Sequence, residues 1–180
     1  PNLYTLDLQT ESEGIGDGGT ATAPPVKTGY LYNDVVVLKA TPKPGWTFTG
    51  WTGAVTSTEL EVELIMTDNS QVVAHFVQNQ YDLNINIVSD GIGTGGIVTA
   101  NPPKATYVYD EVVTLVVVPN PGWDFDGWSG DVTGTSLTTA ITIKGDTDAT
   151  ATFVQEGLMA DGTLARSGAP ATCASPSPDT

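Results

Sequence analysis

Basic residues are scarce in this chain: 6 Lys and Arg stand against 21 Asp and Glu in 180 residues, giving a formal net charge of -15 at pH 7. A phosphate backbone is bound through Lys and Arg, so the balance argues against nucleic acid, and against an anionic membrane surface for the same reason. Cysteine and histidine occur once each, as Cys173 and His75. A single cysteine cannot form an internal disulfide, and its distance in sequence from His75 leaves neither a zinc site nor a Cys-His nucleophile within one domain. No stretch approaches the roughly 20 apolar residues that span a bilayer, and Pro1-Asn2-Leu3-Tyr4 has no signal-peptide pattern. A start at Pro1 fits a processed protein or a fragment of a longer one. No segment carries a helical period either. Abundant Thr and Gly, few Lys and strong acidity point to an extracellular protein.

What is present is repetition. Shifted by 77 residues, the chain aligns with itself from Tyr4 to Gly157 without a gap, and about 33 of the 77 paired positions are identical. The match is densest in Gly45-Trp46-Thr47-Phe48-Thr49-Gly50-Trp51-Thr52-Gly53, which recurs as Gly122-Trp123-Asp124-Phe125-Asp126-Gly127-Trp128-Ser129-Gly130 and holds all 4 tryptophans. The organisation predicted is therefore a module at residues 1–79, a second at 80–157 and a tail at 158–180. Positions identical in both copies are what the fold requires; a site present in one copy must lie among those that differ.

Each repeat opens on strict alternation, with Tyr4, Leu6 and Leu8 in the first and Tyr81, Leu83 and Ile85 in the second. Period two means a half-buried strand. Glycine clusters follow (Gly14, Gly16, Gly18, Gly19; Gly91, Gly93, Gly95, Gly96), then a short strand stopped by proline, a pattern that predicts a hairpin with a long turn. Tyr30-Leu31-Tyr32 with Val35 to Ala40, and Tyr107-Val108-Tyr109 with Val112 to Val118, give the next strands. Leu60, Val62, Leu64 and Met66 alternate with Glu59, Glu61 and Glu63, a core face backed by solvated carboxylates. Val72, Ala74 and Phe76, matched by Ala149, Ala151 and Phe153, close each repeat. The fold class is all-β: two tandem modules with five or six strands each. Only Gln78-Asn79-Gln80 link them, too few residues for free tumbling.

The run Tyr-x-Leu-x-(Leu/Ile), Gly-rich turn, Tyr-x-Tyr, Val-Val-x-Leu, Pro-Gly-Trp-x-Phe-x-Gly-Trp-(Thr/Ser)-Gly and closing Ala-x-Phe resembles the divergent internalin-type B repeat of bacterial surface proteins. The resemblance covers residues 4 to 157 in two copies. It implies a small β-rich, β-grasp-related module strung in tandem in secreted or wall-attached proteins, acting as stalk or adhesive surface, with no common catalytic residue and no specified ligand.

Candidate sites are weighed against plainer uses of the same residues. The aromatic segment could stack on sugar rings, which makes a carbohydrate-binding module the alternative reading and a glycan a candidate partner. On an evenly extended strand Trp46 and Phe48 share a face and Trp51 takes the other, a two-sided arrangement that fills a core. Asp124, Asp126, Asp131, Asp146 and Asp148 could offer oxygens to calcium, but the first repeat has Thr47, Thr49, Ala54, Asn69 and Gln71 in their places, and the spacing does not fit an EF-hand. They read as solvated loop acids. His75, alternating with Val73 and Val77, reads as a surface residue. No carboxylate pair recurs in both copies and no Lys-Asn isopeptide staple is expected, so the chain is read as having no catalytic residue, no metal and no cofactor.

The expected function is a non-enzymatic extracellular structural protein, a tandem β-repeat rod that serves as a surface stalk or adhesin segment or as the subunit of a pilus-like filament. Its expected partners are copies of itself or another surface or filament protein. Val116 and Val118 stand where the first repeat has Lys39 and Thr41, leaving the strand from Val112 to Val118 apolar on both faces, and an uncovered strand of that kind invites pairing. The tail offers little to bury beyond Leu158, Met159 and Leu164, so a neighbouring surface is expected to hold it. Cys173 is a candidate intermolecular thiol. These six residues are the candidate assembly contacts.

Overall fold

The computed structural model describes residues 2–157. The first repeat contributes β1 (Leu6–Glu13), β2 (Gly19–Thr22), β3 (Val35–Pro42), β4 (Trp46–Gly53), β5 (Glu61–Ile65) and β6 (Ser70–Gln78). The second contributes β7 (Leu83–Asp90), β8 (Gly96–Asn101), β9 (Val112–Pro119), β10 (Trp123–Gly130), β11 (Thr138–Thr142) and β12 (Thr147–Gln155). Each repeat thus has the upper of the two strand counts expected, and the structure is all-β over the described residues.

The predicted hairpin between β1 and β2 does not form. β1 instead runs parallel to β6, with Leu8 opposite Val72 and Ser12 opposite Phe76, while β2 pairs antiparallel with β3. Each repeat therefore holds two three-stranded sheets, ordered β1-β6-β4 and β2-β3-β5 in the first and β7-β12-β10 and β8-β9-β11 in the second. The glycine cluster carries the chain from one sheet to the other rather than back along the first. A Cβ at Gly18 would lie 2.6 Å from Trp46 Cε3, and one at Gly19 would lie 2.6 Å from the Thr41 carbonyl oxygen. Only a residue without a side chain lets the backbone pass that close to the core.

The inner faces of the sheets meet over Val36, Leu38 and Ala40 from β3 and Val72, Ala74 and Phe76 from β6, all buried, with Trp51 and Met66 between them. Val113, Leu115, Val117, Ala149, Ala151, Phe153 and Trp128 are the buried counterparts in the second repeat. Period-two alternation delivers these faces. Glu61 and Glu63 of β5 are exposed while Leu64 is buried, although Leu60, expected on the core face, lies outside the strand and is exposed.

Grouped by spatial contact, the chain forms two compact units whose border differs from the repeat border. Among the described residues, one holds the chain up to Leu83 together with Lys104–Val112 and Thr142–Thr147; the other holds Asn84–Pro103, Val113–Ile141 and the segment from Asp148 to Gly157. The Tyr107 loop of the second repeat accordingly belongs to the first unit.

Candidate functional site

The aromatic segment sits on β4 and β10, and a bulge decides its role. In the ladder with β6, Phe48 faces Phe76 and Trp51 faces Ala74, with the register slipping between Phe48 and Gly50. The extra residue, Thr49, shifts the alternation by one position. Trp51 therefore joins Phe48 on the core face, contrary to the two-sided arrangement expected from an even strand. The rings pack edge to face, Phe48 to Trp51 at 5.3 Å between centroids, with Phe48 tilted on Phe76 at 5.6 Å. The second repeat reproduces this at 5.5 and 5.7 Å. Each indole N–H donates to a carbonyl, Trp51 to Glu59 at 2.9 Å and Trp128 to Ser136 at 3.0 Å. With Trp51 1% and Trp128 6% exposed, neither offers a face to a sugar ring.

Three of the five acids weighed for calcium, Asp131, Asp146 and Asp148, accept hydrogen bonds from the protein itself. Asp146 accepts the Asp82 N–H at 3.0 Å, as Asn69 accepts that of Thr5 at 2.9 Å, so the carboxylate fills a position an amide fills equally well. Asp131 accepts the Asp148 N–H at 2.9 Å, and Asp148 accepts from Asn84 at 2.9 Å. His75 is a half-buried residue at the rim of an open cavity of about 420 Å³ with Glu11, Glu13 and Thr49. Its Nε2 is 2.7 Å from the Thr52 hydroxyl and its Nδ1 is 3.3 Å from Glu11. No cysteine or lysine lines that cavity, and its carboxylates are exposed.

A lysine clip, not among the features expected from the sequence, recurs in both repeats. Lys27 reaches Asp34 at 3.1 Å, and Lys104 reaches Glu111, in both cases seven residues on. The same carboxylates accept backbone N–H bonds, Asp34 from Leu31 at 3.0 Å and Glu111 from Val108 at 3.2 Å. The backbone bond and Lys27 hold the Asp34 carboxyl below its ordinary range; Lys104 and then the backbone do so for Glu111. The clip fixes the Tyr-x-Tyr loop of each repeat. A signal for it was present: in a lysine-poor chain, Lys27 and Lys104 are the one pair of lysines that align between repeats.

Of the candidate assembly contacts, Val116 and Val118 lie as expected on the face of β9 opposite Leu115 and Val117. Val118 is 50% exposed and stands across from Ile97 of β8, itself 53% exposed. However, β9 is the middle strand of its sheet, so its hydrogen-bonding edges are already taken by β8 and β11. The exposed feature is a face and not an edge, and strand pairing onto β9 is closed. Leu158, Met159, Leu164 and Cys173 lie outside the described residues.

A twice-repeated two-sheet module whose shared aromatics form core defines a tandem structural repeat. Residues 13–80 and 88–157 match the divergent InlB B-repeat domain, and the chain belongs to that family, which is typical of bacterial surface or extracellular proteins. The match starts at the end of β1, a strand that the structure adds to the module through β6. No curated protein matches the chain. Among solved structures, the Bacillus anthracis TIE protein is similar at 12% identity and a TM-score of 0.48, over 85% of this chain and 34% of that one.

Proposed function

We propose that this chain is a non-enzymatic structural segment of a bacterial surface or secreted protein, its tandem repeats serving as spacer and as building block of a larger assembly. The observation that carries this reading is where the shared residues lie. The tryptophans and phenylalanines common to both repeats fill cores, the common glycines let backbones pass, and the common lysines clip loops. Nothing chemically reactive recurs. The link supports a spacer role: the Asn79 N–H donates to Gly45 at 2.8 Å, and its side chain accepts from Thr47 at 2.7 Å and reaches the Tyr81 hydroxyl at 3.4 Å.

Two forms of the reading differ in partner. As part of a stalk the chain needs no self-contact beyond its own repeats. As a filament subunit it docks through the apolar face of β8 and β9, where Val116, Val118 and Ile97 stand, with residues 158–180 of a neighbour as the occupant. Negative-stain imaging of the purified chain separates the forms, since fibres are expected only for the second. Deleting residues 158–180 should then abolish fibres and leave both repeats folded. If fibres persist without the tail, that docking is wrong. Carbohydrate binding remains the rival function, and a glycan titration that perturbs the signals of Trp46 or Trp123 would support it over the structural reading.

A further inference from the structure

We infer that the Pro-Gly turn at Gly122 is a docking end that accepts the Tyr32 loop of a second copy of this chain, repeating a contact already made inside the first compact unit. In that unit Gly45 is buried against Tyr109: a Cβ at Gly45 would run into the Tyr109 side chain, with Cγ at 2.9 Å. The φ of +79° at Gly45 independently disfavours any other residue. Around this contact lie the Asn79 bonds described above and the Thr106 hydroxyl, which donates to Gln80 at 2.9 Å.

Both halves of the contact occur a second time. The turn at Gly122 has φ +83°, and its carbonyl accepts the Glu156 N–H at 2.8 Å as that of Gly45 accepts the Asn79 N–H at 2.8 Å. The Trp123 N–H closes this turn on Asn120 at 3.1 Å, as Trp46 closes the other on Lys43 at 3.0 Å. Yet Gly122 is exposed, with nothing among the described residues within 4 Å of where its Cβ would be. The loop is duplicated too. Asn33 and Asp110 both have positive φ, 68° and 66°, and both donate their N–H to the β5 or β11 side, to Met66 and Ile143, at 2.8 Å. With the lysine clip added, the backbone of the Tyr32 loop is held as that of the Tyr109 loop is, although Lys144 also lies 4.5 Å from the Tyr109 ring centroid and Thr67 stands in its place in the first repeat. Tyr109 is half-buried, whereas Tyr32 is 62% exposed and meets the Tyr4 ring at 6.5 Å between centroids.

A surface and its complement, carried at different places on one chain, make a heterologous contact that can propagate from copy to copy. The occupant is therefore a second copy, and Tyr is well suited to such a contact because it buries a large ring at little entropic cost. The rim differs in two respects. Gly29 and Gly157 stand where Thr106 and Gln80 bond to each other, so that hydrogen bond is not repeated. Asp124 and Glu156 replace Thr47 and Asn79, so two carboxylates surround the docking turn and association should strengthen as salt screens them. This inference rests on the structural reading above but not on the β9 face or on the tail.

The test is sedimentation velocity on the full chain up to about 1 mM, the order of effective concentration that a short tether supplies. The wild type is expected to associate with rising concentration. Tyr32→Ala removes one half of the contact and Gly122→Asn blocks the other while tolerating positive φ; each alone should weaken association by more than about tenfold. Mixed, these two variants each retain one intact half, so they should form dimers and nothing larger. Near-ultraviolet circular dichroism of the buried tryptophans confirms that each variant is folded. A wild type that stays monomeric, or a mixture that does not associate, overturns the inference. So does association that survives both substitutions but is lost on Val116→Lys with Val118→Thr, which would place self-contact on the β9 face and leave the structural reading standing.

Discussion

The two repeats build the same pair of sheets but finish the outer face of the second sheet differently. In the first, Thr20, Lys39 and Thr41 face outward, and Lys39 lies 3.9 Å from Glu61 on the neighbouring strand. In the second, Ile97, Val116 and Val118 occupy those places. Inside, Leu38 and Leu115 are both fully buried, as are Phe76 and Phe153 within 1%. The contrast teaches which residues the module needs. What both copies keep holds the fold; what they change is open to selection by partners. A polar outer face with a lysine suits a sheet that meets water, whereas an apolar one suits a sheet that meets another surface.

The largest effect should come from deleting what the repeats share. Trp128→Ala is expected to cost about 3 to 5 kcal/mol, and Trp51→Ala about the same, since each leaves a cavity beside a phenylalanine and orphans a carbonyl. Urea denaturation with each variant checks this. If one substitution is tolerated while the other unfolds its repeat, the cores are not equivalent. Next in size is Gly96→Ala. Its Cβ would lie 2.5 Å from Phe153 Cε1 and 2.7 Å from the Val118 carbonyl oxygen, and backbone cannot yield cheaply, so about 1 to 3 kcal/mol should be lost. Gly93, with nothing among the described residues within 4 Å, is the comparison, although its own positive φ adds some strain.

How far these features could be read from sequence depends on range. Alternation gave the strands because burial on a sheet follows a period of two, and the repeat separated core positions such as Leu38 and Phe76 from outer ones such as Lys39. The pairing of β1 with β6 was not legible, because the glycine cluster at Gly14 to Gly19 suits a hairpin turn and a crossover equally well. The bulge at Thr49, which moves Trp51 to the core face, had a signal in Gly50 and its counterpart Gly127, glycines at positive φ inside a strand, but the direction of the slip follows only from the pairing with β6. The middle position of β9 is likewise a matter of long-range pairing. The lysine clips were within reach, since a seven-residue spacing of opposite charges recurs in both copies.

A smaller effect should follow from making the second outer face resemble the first. Val116→Lys with Val118→Thr is expected to shift stability by no more than about 0.5 kcal/mol, because both side chains are on the solvent face. Binding of a hydrophobic dye to the native chain should fall at the same time. Unchanged dye binding would mean that this face is not the apolar surface of the second repeat. Smaller still is the acid response of the clips. Their folded-state pKa values lie below ordinary carboxylate values of about 3.9 for Asp and 4.3 for Glu. The support they give is therefore present above those values and lost as pH falls below about 4. Carboxyl-carbon NMR titrations should show Asp34 and Glu111 titrating at lower pH than in unfolded peptides, and Lys27→Met should move the Asp34 midpoint upward. A midpoint that Lys27→Met leaves in place would remove the lysine from the account.

The central claim, that the shared aromatic segment is core and the module therefore structural, is tested most directly by hydrogen exchange at the indole N–H groups of Trp51 and Trp128. Both donate to backbone carbonyls and lie under the sheets. Each should exchange as slowly as the backbone amides of Val72 to Phe76 and of Ala149 to Phe153, through global unfolding of the repeat alone. Exchange of either indole at the rate of a solvent-exposed tryptophan, in a chain whose strands stay protected, would contradict the claim and return the aromatics to the surface as a binding platform.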